Sequence, residues 1–107
     1  MHERRREPRV QVDLPVRVWG TDEHGAWFKQ DAAARNISRS GALLAGLRQP
    51  LRSGDLIGVQ YGANKARFRV VWVRDSDAGS MIQVAVHKVE EDECPWKELL
   101  PERQLPV

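Results

Sequence analysis

Cysteine occurs once in this 107-residue chain, at Cys94, so no internal disulfide can form. A reducing, cytoplasmic setting is the simpler expectation. No apolar run approaches the ~20 residues that a membrane helix needs. The N-terminus is basic but lacks the apolar segment of a signal peptide. The histidines His2, His24 and His87 fall at no metal-ligand spacing, and no metal or cofactor is expected. Cys94 has no histidine at a spacing that would make it a nucleophile. Asp13, Asp22, Asp31 and Asp55 form no recognisable carboxylate pair, and no phosphate-binding or dinucleotide-binding glycine fingerprint is present. Nothing argues for catalysis, and the chain is read as a non-enzyme.

What is present is a small domain with uneven charge. A chain of this length is one domain, and it buries roughly two-thirds of its unfolded surface without needing staples. The formal net charge is only +2. Arg4, Arg5, Arg6 and Arg9 crowd the first residues, whereas Glu90, Glu91, Asp92, Glu93 and Glu98 lie near the other end. A basic head with an acidic tail points to an anion bound near the head rather than to a general polyanion surface.

Along the chain, residues 1–9 carry no apolar periodicity and read as a flexible basic arm. Val10, Val12, Leu14, Val16 and Val18 then alternate with polar or bulky neighbours, which is the period of a half-buried strand. Pro15 cannot donate to a ladder, so an edge or a bulge is expected there. A loop over Gly20–Gly25 leads to a second strand, about Ala26 to Ile37, in which Ala32–Ala34 has helical propensity. Ala42–Ala45, Leu56–Tyr61, Lys65–Arg74 and Met81–Val89 read as four more strands. In the fifth, Ala66, Phe68, Val70 and Trp72 share one face by parity. Trp96, Leu99 and Leu100 stand at helical spacing, which predicts a short amphipathic helix in the tail, stopped by Pro101. The expected organisation is an arm over 1–9, a barrel over 10–89, and a helix and tail over 90–107. Six short strands with regular turns give an all-β fold, a six-stranded antiparallel barrel with one terminal helix. Trp19, Trp27, Trp72 and Trp96 are assigned to core or barrel-cap positions, with Trp27 the one expected to be exposed.

Between the second and third strands lies Asn36-Ile37-Ser38-Arg39-Ser40-Gly41. Asn and Ser hydrogen-bond nearby backbone and Gly accepts unusual φ, so this is a tight turn. Asn36 and Ser38 are two residues apart, and on an extended chain they project from one face as a pair of hydrogen-bonding groups. The arginine head complements them. A guanidinium binds phosphate with two parallel bonds and stacks flat on an aromatic ring. Arg5 to Arg9 fits R-x-x-x-R, just before the first strand. Asn36 to Gly41 fits [D/N]-x-S-x-x-G, just after the second.

These two motifs, in this order and separation, resemble the PilZ domain, a family of small bacterial β-barrels of the split-barrel type that bind cyclic di-GMP. The resemblance covers nearly the whole chain. It implies that Arg5 and Arg9 stack on guanine and contact phosphate. It implies that Asn36 and Ser38 hydrogen-bond the ligand from the barrel surface, and that Gly41 permits close approach. Arg6 and Arg4 are helpers, Arg4 toward a mutually intercalated pair of ligands. Asn36 stands where many members have Asp, so guanine loses a charge-assisted partner. Gln83 and Ala85 stand in the last strand where small residues or Gly are usual, which alters the pocket floor.

The implied function is that of a second-messenger receptor or adaptor. It signals by ordering the arm or changing partner contacts, and passes its output to an effector protein. The resemblance leaves motility, adhesion and polysaccharide secretion open as outputs. A monomer or weak homodimer without membrane insertion is expected. Two alternatives stand beside it. One is a PilZ-fold interaction module that binds no nucleotide. The other is a small barrel that binds RNA or single-stranded DNA through Arg67 and Arg69 around Phe68.

Overall fold

A computed structural model of the chain describes residues 8–76, 79 and 81–101. Its strands are β1 (Val10–Thr21), β2 (Trp27–Ile37), β3 (Gly41–Leu47), β4 (Leu56–Tyr61), β5 (Asn64–Asp75) and β6 (Ile82–Lys88). They close into a barrel in the order β1-β2-β3-β6-β5-β4, and every neighbouring pair is antiparallel. Closure leaves no full-length edge strand exposed.

The alternation in β1 behaves as its period demands. Val16 and Val18 are buried, and Pro15 and Arg17 face out. Pro15 precedes the stretch Arg17–Gly20 through which β1 meets β4, so its missing N–H removes nothing from that seam. Ala32–Ala34 is strand, not helix. Ala33 pairs with Pro15 on one side and Ala45 on the other, and this two-sided pairing overrides local propensity. The interior is filled by aliphatic residues with Phe28 and Phe68. Trp19 lies across Gly58, where an added Cβ would collide with the indole ring.

The expected tail helix is reduced to a single 3-10 turn. That turn, Lys97–Leu99, is all the helical structure among the described residues. The carbonyls that an α-helix would use internally are taken by the barrel. Lys88 Nζ donates to the Asp92 carbonyl at 2.6 Å, and Asn64 Nδ2 donates to that of Pro95 at 3.2 Å. The Arg67 guanidinium grips the Asp92 carboxylate through Nε and Nη2, both at 3.0 Å. The tail is therefore a strap across the barrel. Trp96 plugs into the core 5.5 Å from Phe68, ring to ring.

Four register shifts interrupt the ladders, at Gln11/Leu14, Ala34/Asn36, Leu44/Leu47 and Val70/Trp72, and two of them shape the site. The β2·β3 register shifts between Ala34 and Asn36, and the β5·β6 register shifts between Val70 and Trp72. One inserted residue turns every later side chain to the opposite face. Ala34 and Ile37 are both buried across the first bulge, which holds Asn36 off the core. The second bulge has a larger effect. Trp72 was expected inside with Phe68 and Val70, but it lies outside and is 37% exposed. Val73 takes the inward phase and packs against the core instead.

Candidate ligand-binding site

The turn between β2 and β3 is built by Ser38 and Gly41. Ser38 N donates to the Gly41 carbonyl at 2.9 Å, and Gly41 N donates to Ser38 Oγ at 3.2 Å. The Ser38 hydroxyl, buried with its residue, lies 3.4 Å from the same carbonyl as a donor. In this state Ser38 clamps its own turn. A direct bond from its hydroxyl to a ligand requires it to exchange that weak contact. Gly41 is fixed by its neighbour, since a Cβ there would sit 2.6 Å from the Val86 carbonyl oxygen. Only glycine lets β3 approach β6 this closely. The underside of the turn is held by the strap, where Trp96 Nε1 donates to the Ser38 carbonyl at 3.0 Å.

Arg9 meets this turn. Its Nη1 donates to Asn36 Oδ1 at 2.9 Å, joining residues 27 positions apart. The end of the first motif and the start of the second are thus in contact, and Asn36 is oriented with its amide oxygen toward the guanidinium. Arg4, Arg5 and Arg6 lie outside the described residues.

Beside this contact is an open depression of about 570 Å³, lined by Arg9, Ser38, Ser40, Gly41, Ala42, Val71, Trp72, Ala85, Val86 and His87. It lies on the outer face of β3, β6 and β5. Its composition is informative. No carboxylate appears among the described lining residues, while Arg9 and the imidazole of His87 do. An exposed indole faces the same space, and the Arg74 guanidinium sits 4.4 Å from the centre of the Trp72 ring. Ala85 pairs with Trp72 across the ladder, and its small side chain leaves the ring uncovered on that side. The surface combines cationic charge, hydrogen-bonding groups at a rigid turn and a flat aromatic platform. That is the chemistry of a site for an anion carrying an aromatic ring.

Trp72, Arg74 and His87 were not expected here. The signals available in sequence were the apolar run Val70–Val73, which occupies both faces at once, and the basic residue two positions after Trp72. Of the expected residues, Arg9, Ser38 and Gly41 line the depression, and Asn36 reaches it through Arg9. Ala85 lines it as well, whereas Gln83 pairs with Arg74 further along β5.

The arginines that favoured a nucleic-acid surface are engaged elsewhere. Arg67 is committed to Asp92, and Arg69 Nη1 donates to the Gly54 carbonyl at 2.9 Å. The hydrogen bonds from Arg67 hold the Asp92 carboxyl down at about 2. This pair fastens the strap and does not line the depression. No cluster of metal-ligating side chains occurs among the described residues. No helix among them is long and apolar enough to cross a membrane.

Residues 3–100 match the family model described as PilZ domain. The fold is similar to the solved structure of the Bacillus subtilis inhibitor of motility (MotI/DgrA), with a TM-score of 0.63 at 14% identity, over 83% of this chain and 44% of that one. The chain spans less than half of that protein's length, and at this identity the likeness concerns the fold. No curated protein matches the chain.

Proposed function

The chain belongs to the PilZ domain family, whose domains are generally non-catalytic receptors or adaptors, and we propose that it is a receptor for cyclic di-GMP. The observation that carries this reading is the Arg9–Asn36 hydrogen bond, which brings the two motifs together at the rim of a depression with no carboxylate among its described lining residues. In the bound state Arg9 serves a phosphate or stacks on a guanine. Asn36 and the turn present hydrogen-bonding groups to a base edge. Gly41 keeps the floor low, and Trp72 stacks on the second ring face. Arg5 is assigned from the motif, as its partner in the same task, with Arg6 and Arg4 in support. The domain acts as a cytoplasmic adaptor, and its output passes to an effector protein that reads the occupied surface.

Binding must repay the ordering of whatever segment closes over the ligand, at about 1–2 kcal/mol per residue. Several contacts therefore have to form together, and the loss of one has a large effect. The engagement of Arg67 and Arg69 weighs against the nucleic-acid alternative.

Isothermal titration calorimetry with cyclic di-GMP, with GTP and oligonucleotides as competitors, tests the reading. Saturable binding that neither competitor displaces supports it, and no heat of binding overturns it. The same titration gives stoichiometry. One ligand per chain removes the role assigned to Arg4, which rests on a pair of ligands.

A further inference from the structure

The geometry points to His87 as a pH-dependent contact for the ligand's phosphate, which makes affinity rise as the medium acidifies. This inference rests on the cyclic di-GMP reading and adds a residue and a regulation to it. His87 ends the outward row of β6 and is exposed at the rim of the depression. It pairs across one ladder with Gly41, which has no side chain to cover it. Its imidazole therefore borders the turn at the rim of the depression.

The charged groups around His87 define what its protonation does. On β5 its ladder partner is Arg69, already bonded to the Gly54 carbonyl. From the N-terminal side comes Arg9. From β3 and the turn come Gly41 and Ser40, which do not titrate here. On its own strand the next residue, Lys88, sends Nζ away to the carbonyls of Val89 and Asp92. Arg39 of the turn borders a different hollow, with Lys97 and Glu98. No described carboxylate faces the depression to neutralise an imidazolium. An anion entering it would do so.

Histidine is the side chain whose ordinary pKa, about 6.5, lies inside the physiological range. A phosphodiester keeps its charge throughout that range, so a pH slope reports the protein. The neutral ring offers phosphate one N–H, whereas the protonated ring adds a full charge. A unit charge pair at ~4 Å in water-like surroundings gives about fivefold tighter binding, which is about 1 kcal/mol.

The test is calorimetry with cyclic di-GMP at about pH 5.5 and about pH 8, the range over which histidine side chains ordinarily change charge, on the wild type, His87→Gln and His87→Lys. His87 is exposed, so both variants keep the barrel, and their thermal midpoints check this. The wild type is expected to bind about fivefold tighter at the lower pH. His87→Gln is expected to lose that slope, and His87→Lys to bind tightly at both values. An equal slope in the wild type and His87→Gln overturns the role of His87 while leaving the receptor reading intact. Absence of binding at both pH values overturns the receptor reading, and this inference with it.

Discussion

Trp96 Nε1 donates to the carbonyl oxygen of Ser38 at 3.0 Å, across 58 positions of sequence. A fully buried indole thus holds the motif turn from below. The turn is anchored on three sides: within itself by Ser38 and Gly41, against β6 by close backbone approach, and from the strap by Trp96. A ligand arriving on the outer face meets a surface that is already organised, which lowers the cost of binding it.

Arg9→Ala is expected to weaken cyclic di-GMP binding roughly 10- to 150-fold, the loss of a charge-assisted bond worth about 1.5–3 kcal/mol. Its thermal midpoint should stay close to that of the wild type, because Arg9 is exposed. Asn36→Asp is expected to act in the opposite direction, since a carboxylate bonds both the Arg9 guanidinium and guanine N–H groups more strongly. Calorimetry on the two variants checks the pair of signs. Near-native affinity in Arg9→Ala counts against the site.

Trp72→Ala is expected to cost about 1–3 kcal/mol of binding, the range for one stacked base. Trp72→Phe should recover much of it, because a flat ring remains. The fold should be little affected, as the indole is already partly in solvent. If both variants bind as the wild type does, the platform has no part in recognition.

Gly41→Ala is expected to destabilise the barrel by about 1–3 kcal/mol, the usual range for forcing an extra methyl into a packed site. The new carbon would meet the Val86 carbonyl oxygen at 2.6 Å, so β3 and β6 must part. Chemical denaturation measures the loss. An unchanged midpoint would show that the seam yields without strain.

The strap should come loose in strong acid. The Asp92 carboxyl titrates at about 2 in the folded chain, against an ordinary 3.8, because Arg67 stabilises its charged form. A depressed carboxylate contributes stability that is fully present above about pH 4 and is lost as pH falls through about 2. Asp92→Asn should therefore be less stable than the wild type near neutrality, and the difference should shrink steadily below about pH 4. Acid unfolding curves of both proteins, read by tryptophan fluorescence, give the comparison.

Much of this could be read from the residues in order. The two-residue period of β1, the breaks at Gly20–Gly25 and Gly62-Ala63, and the turn chemistry of Asn36–Gly41 all follow from local rules. The exceptions share a cause. Trp96, Leu99 and Leu100 have helical spacing, but Lys88 and Asn64 capture the backbone carbonyls at Asp92 and Pro95 from elsewhere in the chain. Trp72 has the parity of Phe68 and Val70, but an extra residue in β5 reverses its face. Both outcomes depend on partners outside the periodic run itself, Asn64 lying 31 positions before Pro95, and periodicity does not register them.

The bulges at Arg35 and Val71 have a consequence for reading the sequence. The faces presented at Asn36 and Trp72 are set by a count of residues, not only by their identity. At each bulge two adjacent residues are held off the core, Arg35 with Asn36 and Val71 with Trp72, before the inward phase resumes at Ile37 and Val73. Motif matching, which compares letters, would miss the bulge at Val71 altogether.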